Sequence, residues 1–363
     1  DNDPKNFLGR SVNNAVDNVL KIGEELKKHD FASQSDVDTF LIEQDGTKNK
    51  SKLGANTILA ISLAFAWAAA DLESQSLYVY INKLAGEPKI SLPRPMFNIM
   101  NGGRHAAWAT DIQEFMVIIK NRTYVEQLRA GCEIYASLGK LLEEKGLSTL
   151  VGNEGGYAPG FKNNTDALDT LLSAIEKAGY LPGVDVFFAL DVAASEFYSK
   201  EKNMYELKTE GKSYSPGDWH TKMVEIVNKY PMISIEDPFS EDDWESWQKF
   251  NNDLGRQIQI VGDDLLVTNL QRVEEAIEKS ACNSLLVKPN QIGSLTETLQ
   301  AMKKATDAGW TSVVSHRSGE TEDVTIAHLA VGTGAGQIKT GAPSRGERTA
   351  KYNELIRIAE ELS

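Results

Sequence analysis

From residue 187 to residue 288 the chain repeats one pattern: a short apolar run, a charge, then an amphipathic stretch. The runs FFALD, ISIE, IVGD and SLLVK close on Asp191, Glu236, Asp263 and Lys288. Unbroken runs of Val, Ile, Leu and Phe predict strands covered on both faces, as in a parallel sheet. Helical stretches lie between them, for example 270–280 and 295–309. Strand, charge and helix in repetition predict an α/β barrel, whose chemistry sits where the strands end. Two more runs follow, TSVVSH to His316 and GQIK to Lys339. Upstream, 96–101 and 113–119 predict strands, while 124–144 and 165–178 predict helices on either side of VGNEGGYAP. The order is ββαα(βα)6, with eight strands.

The first ninety residues read as helical. Val12, Val16, Val19 and Leu26 fall on one face of a helix ending near His29. A shorter helix is expected over 36–44. Residues 58–70 are apolar nearly all round but too short for a membrane span, and Ser62 interrupts them, which predicts a buried core helix. The proline-punctuated stretch 88–95 is a domain boundary. It separates a smaller, mainly helical capping domain (1–93) from a barrel domain (94–363). The chain opens on DNDPKNF without an initiator Met, so further residues are expected upstream.

Composition narrows the classes. Hydrophobic residues make up 41% and charged residues 25%, as in ordinary globular proteins. Thirty-eight basic residues against 52 acidic ones give a net charge of −14, which argues against a general binder of nucleic acid or anionic membranes. A small anionic substrate remains compatible where cations and local Lys or Arg reverse the potential in a cleft. Cys132 and Cys282 are far apart in sequence and read as reduced core residues of a cytoplasmic protein.

The strand-end charges suggest chemistry. Asp191, Glu236 and Asp263 offer three oxygen ligands without His or Cys, which favours Mg²⁺. One such acid is more often a helix cap; three on successive strands are not. Asp237 and Asp264 would face the other way on an extended strand and read as supporting or capping groups. Lys288 either pairs with an acid or, beside cations and partly desolvated, has a lowered pKa and acts as a general base. Lys339 ends its strand in the same way. His316, Arg317 and Ser318 form an anion-binding triplet, with Ser318 expected to open the next helix. Glu114 lies in the second strand, and glycines bracket Glu154 in VGNEGG.

The motifs KLGANTILAIS, NGGRHA, QEFM, DVAASEF, SIEDPF, DDLLVTN, LLVKPNQIG, VSHRSGETED and QIKTGAPSR run through the chain. On these the sequence resembles the enolase (phosphopyruvate hydratase) family over essentially its whole length. The resemblance implies dehydration of 2-phosphoglycerate to phosphoenolpyruvate in glycolysis, two Mg²⁺ per site and a cytoplasmic homodimer or higher homo-oligomer. It implies Asp191, Glu236 and Asp263 as metal ligands and Lys288 as the base. Glu154 with Glu114 would assist departure of the hydroxyl, and Lys339 would bind the carboxylate. Arg317 and Ser318 would bind the phosphate, with His105, Gln113 and His316 lining the pocket. The sequence departs from the family at Arg104, Trp108, Asn153, His328 and Gly346. Asn153, in place of an acid, should lower the pKa of Glu154. A paralogue acting on a related phospho- or phosphono-carboxylate, such as a carboxyphosphonoenolpyruvate synthase, is the alternative. A non-catalytic scaffold is a third reading, disfavoured by retention of every charge in the set.

Overall fold

The computed structural model describes the whole chain, Asp1–Ser363. Its first part is helical: α1 (Asn13–Leu26), α2 (Gln34–Asp45), α3 (Ala55–Leu72) and α4 (Leu77–Leu84). The Ser33 side chain accepts from Asp36 N to start α2, and Gly46, at φ 69°, stops it. By length and composition α3 could cross a membrane. It buries a stripe of Thr57, Ile58, Ser62, Ala66 and Ala70. Its opposite side, with Ala60, Ala64, Trp67 and Ala68, is exposed. The expected buried core helix is therefore buried along one side only. Alanines dominate the outer face, and leaving so small a side chain in water forfeits little.

The barrel begins with β1 (Arg94–Asn101), β2 (Glu114–Ile119), α5 (Tyr124–Glu144), α6 (Asn164–Lys177) and β3 (Val186–Asp191). A separate antiparallel sheet follows, made of β4 (Tyr198–Ser199), β5 (Met204–Leu207) and β6 (Lys212–Tyr214). Then come α7 (Pro216–Lys229), β7 (Met232–Glu236), α8 (Trp244–Leu254), β8 (Gln259–Gly262), α9 (Leu270–Lys279) and β9 (Ser284–Val287). The chain finishes with α10 (Pro289–Ile292), α11 (Leu295–Asp307), β10 (Thr311–Ser315), α12 (Thr325–Gly332), β11 (Gly336–Lys339) and α13 (Gly346–Glu361). Eight strands close in the order β1-β11-β10-β9-β8-β7-β3-β2.

All neighbours are parallel except β2, which runs against both β1 and β3. That reversal matters for the chemistry. It brings Glu114, the first residue of β2, to the rim where the other strands end, in register with Asn101 and Asp191. Asp191 in turn pairs with Glu236.

Inside the barrel, Met96, Met116, Ile118, Ala189, Val261, Leu286 and Val313 pack together. Gln259 closes the far end: its amide donates to Ser284 Oγ, Thr311 Oγ1 and Gln337 Oε1. Its carbonyl accepts from Ser234. Apolar core then fills the space between barrel and helices, including Cys282. Cys132 is not a core residue as expected, because α5 turns it outward to an exposed position.

The helical part is fastened to the barrel by polar contacts as well as by packing. Asn82 Nδ2 donates to Gly332 O at 2.8 Å, and Lys50 Nζ lies 2.9 Å from Glu297. Ser62 Oγ accepts from Leu295 N, and Trp67 Nε1 donates to Thr325 Oγ1. At this junction the buried ring of His328 lies edge-on to Trp67 and is stacked with Tyr78. Burial holds its pKa below the ordinary value, against the pull of Glu354. A neutral buried imidazole stabilises the fold above the unfolded pKa of about 6.5, and that contribution is lost as pH falls. Between pH 7 and 5 the protein should lose stability relative to a His328→Gln variant, by at most about 1.4 kcal/mol per pH unit. Urea midpoints of the two proteins that track one another over this range would contradict the assignment.

Candidate active site

The strand ends open into a cleft of about 390 Å³ in which Ala193 is the only apolar lining residue. Asp191 and Lys339 end their strands there, and Glu114 begins β2. Asp263 and Lys288 each stand one residue beyond a strand. Loops supply His105, Gln113, Glu154, His316, Arg317 and Ser318. Glu236 lies beneath, 1% exposed. The structure thus brings all twelve expected residues to one end of the barrel.

Close packing fixes the loops. A Cβ on Gly102 would meet Thr110 Oγ1 at 1.7 Å, so only glycine lets the chain fold back to present His105. Gly155, at φ 85°, turns the chain after Glu154, and Tyr135 donates to its carbonyl. Asp237 does not lie on an extended strand. It adopts φ 43°, and its carboxyl accepts from Asp263 N at 2.9 Å and Asp264 N at 2.8 Å. This fixes the backbone that carries Asp263. Ser318 does not open a helix, because α12 begins only at Thr325. Its hydroxyl-bearing residue is an exposed part of the loop after β10. Arg317 is also exposed, with Nη1 donating to Asn290 Oδ1.

The electrostatic centre is Lys339, 2% exposed. Its Nζ lies 2.7 Å from Glu236, 3.0 Å from Asp191 and 3.3 Å from Glu114. Burial opposes its charge, yet Asp191, Glu114 and Glu236 raise its pKa well above the ordinary value. Lys288 is paired with Asp263, which also accepts from Gln291 Nε2 at 2.9 Å. Burial lowers the Lys288 pKa, but Asp263 more than reverses this, and the group is held as an ammonium. The lowered pKa expected from the sequence does not apply while that carboxylate is its partner.

The pKa values of Glu114 and Glu154 are pushed in opposite directions. Burial, then the charge of Glu154, raises Glu114 well above the carboxylate range. Burial would raise Glu154 too, but His316, His105 and Lys339 hold it well below. His105 Nδ1 lies 3.4 Å from Glu154 and 3.6 Å from Glu114. Asn98, on β1, donates to Glu154 Oε2 at 2.8 Å; nothing in the sequence marks this buried mid-strand amide. Asn153 is exposed, so an acid at that position would reach Glu154 only through a solvent-screened field. Trp108 lies outside the cleft, under Lys208 Nζ at 3.5 Å from its ring centre. Arg104 is at the cleft mouth, 3.1 Å from Glu196.

The acids suit a hard cation by donor type, all being carboxylate oxygens. Glu236 Oε1 is buried without a partner, so a ligand atom is available. The tightest groupings, with ligand atoms within 4.8 Å of one another, are His105–Glu114–Glu154 and Asp237–Asp263–Asp264. The set Asp191, Glu236 and Asp263 is instead spread around two lysine ammoniums.

Removing the Lys339 ammonium would leave Asp191 and Glu236 buried without the cation they touch. Lys339→Met should therefore cost about 3–5 kcal/mol at pH 8. The cost should shrink at pH 5, because burial and then the charge of Asp191 push the Glu236 pKa well above the ordinary value and its carboxylate is neutralised as pH falls. Urea unfolding of the metal-free protein measures both values. Equal cost at the two pH values would show that the ammonium does not compensate the acids.

The family model described as "Enolase, C-terminal TIM barrel domain" matches residues 89–363, and "Enolase, N-terminal domain" matches 1–81. These matches, with the closed barrel and its charged rim, show that the chain belongs to the enolase family.

Proposed function

We propose that this enolase-family enzyme dehydrates 2-phosphoglycerate to phosphoenolpyruvate, reversibly and with Mg²⁺. The observation that carries the reading is the convergence of Glu114 and Glu154, their pKa values pushed in opposite directions by their surroundings, on the rim that holds Lys288 and Lys339. A dehydration next to a carboxylate needs these parts: a base for the α-proton, fixed positive charge for the dianion that results, and an acid for the departing hydroxide.

Lys339 is the fixed charge, and it would hold the substrate carboxylate. Lys288, as the free amine, would take the α-proton. The C–O bond at the β-carbon then breaks as the alkene forms, and the carboxyl pair supplies a proton so that water leaves. Glu114 stores that proton and Glu154, anchored by Asn98, faces His105 and His316. Arg317 and Ser318 lie at the exposed side of the cleft, where a phosphate would sit.

Asp191, Glu236 and Asp263 would hold the first of two Mg²⁺ ions. When bound, that ion supplies Lewis acidity at the substrate carboxylate and neutralises Asp263, whose charge otherwise keeps Lys288 protonated. The related phosphonate substrates gain no support from Arg104. Its guanidinium is largely exposed and makes one surface contact, to Glu196, rather than reaching into the cleft floor beside the acids.

Two measurements test the assignment. Alanine at Asp191, Glu236 or Asp263 should weaken Mg²⁺ binding at least tenfold by calorimetry, since octahedral Mg²⁺ tolerates a lost carboxylate poorly. Unchanged affinity in all three variants would remove the site. Lys288→Ala should abolish exchange of the substrate α-proton with deuterated solvent while substrate still binds. Exchange at the wild-type rate would assign the base elsewhere.

A further inference from the structure

The first turn of α13 sends one arginine under the whole cleft. Arg348 is 1% exposed. Its Nη1 donates to Arg317 O at 2.6 Å and lies 2.6 Å from His316 Nδ1. Its Nη2 donates to Ser318 O at 2.7 Å and to Asn153 O at 3.1 Å. One guanidinium therefore joins the loop that precedes Glu154 to the loop that carries His316, Arg317 and Ser318. Gly341, at φ 87°, leaves it room: a Cβ there would stand 2.9 Å from Arg348 Cδ and 3.1 Å from His316 Cε1. Three residues on, buried Lys351 donates to Glu347 O at 2.7 Å and to Thr321 O. Both buried cations of α13 thus serve the carbonyls of the same loop.

An arginine side chain has only donors and keeps its charge in proteins. A ring nitrogen 2.6 Å from it must present a lone pair. We propose that Arg348 is a positioning residue that fixes His316 as the tautomer protonated on Nε2 and sets the two substrate loops against each other. The proton so placed faces Glu154 Oε2, 3.3 Å from Nε2. Asn98 donates to the same oxygen, while Nε2 itself is buried without a formed hydrogen bond, so a proton there has Glu154 Oε2 as its nearest acid oxygen. The trans peptide adds a second effect. With the carbonyls of Asn153, Arg317 and Ser318 turned to the guanidinium, the following N–H groups point away from it.

This inference rests on the proposed function only for its kinetic arm. The direct arm is substrate-free ¹⁵N–¹H correlation spectroscopy of histidine-labelled protein, with His316→Asn assigning the ring. The expected spectrum shows His316 protonated on Nε2 alone at neutral pH. Protonation on Nδ1, or a doubly protonated ring, would overturn the proposal. In Arg348→Lys the charge remains, but one ammonium cannot serve the ring and three carbonyls together. That variant should show mixed tautomers and lose about 10–100-fold in kcat/KM, the worth of one or two charged hydrogen bonds.

A purely structural arginine would lower the unfolding temperature and leave the tautomer unchanged. That result overturns the proposal, as does a folded Arg348→Lys with kcat and KM within twofold of the parent. Should the variant not fold, the tautomer in the parent protein still decides. Should the chain fail to dehydrate 2-phosphoglycerate yet show the Nε2 proton, lost in Arg348→Lys, the functional reading falls and the positioning role stands.

Discussion

The rim of this barrel depends on one buried ammonium. Lys339 sits among Asp191, Glu236 and Glu114, on strands that are not its sequence neighbours, with each group almost wholly out of water. Carboxylates so placed cannot remain ionised without a nearby cation. The lysine supplies one, and under the proposed function the same charge would meet a substrate carboxylate. Fold integrity and catalytic electrostatics are here a single arrangement. The divergent states of Glu114 and Glu154 follow from it as well. Lys339 pulls both down, but His316 and His105 act on Glu154, so its pKa falls while burial and the Glu154 charge raise that of Glu114.

Much of this was legible in the chain. Runs such as IVGD and SLLVK announced buried parallel strands, and their closing charges marked the rim that lines the cleft. The periodic stretch at 124–144 coincides with α5. What stayed hidden was partnership. Strand-end charges show which residues share a rim but not which pairs touch, so the hold of Asp263 on Lys288 was not readable. That pairing, one of the two readings the strand end left open, raises the lysine pKa.

Other misses have local causes. The sheet of β4, β5 and β6 is built from strands of two to four residues in which Tyr and Ser recur, too short to show an alternating pattern. Asn98 and Arg348 look like an ordinary strand amide and an ordinary helix surface charge. Only the fold shows that both are buried against Glu154 and His316. Outer-face alanines in α3 read as core because hydropathy does not report which side has a neighbour. Conversely, Trp108 and Asn153 drew attention as departures near the catalytic motifs, and the structure turns one out of the cleft and leaves the other exposed.

The closure of β1 on β11 has a consequence for the order of assembly. Register partners Arg94 and Gln337 are joined only after nearly all the barrel's sequence has been made. Chains emerge N-terminus first, and contacts this distant in sequence form late. Glu114, Asp191 and Glu236 therefore reach the ribosome exit long before Lys339, their counterion. Until it arrives their charges favour a solvated, open rim over a packed one. The last strand thus brings both the final hydrogen-bonded edge of the barrel and the ammonium around which Glu114, Asp191 and Glu236 are gathered.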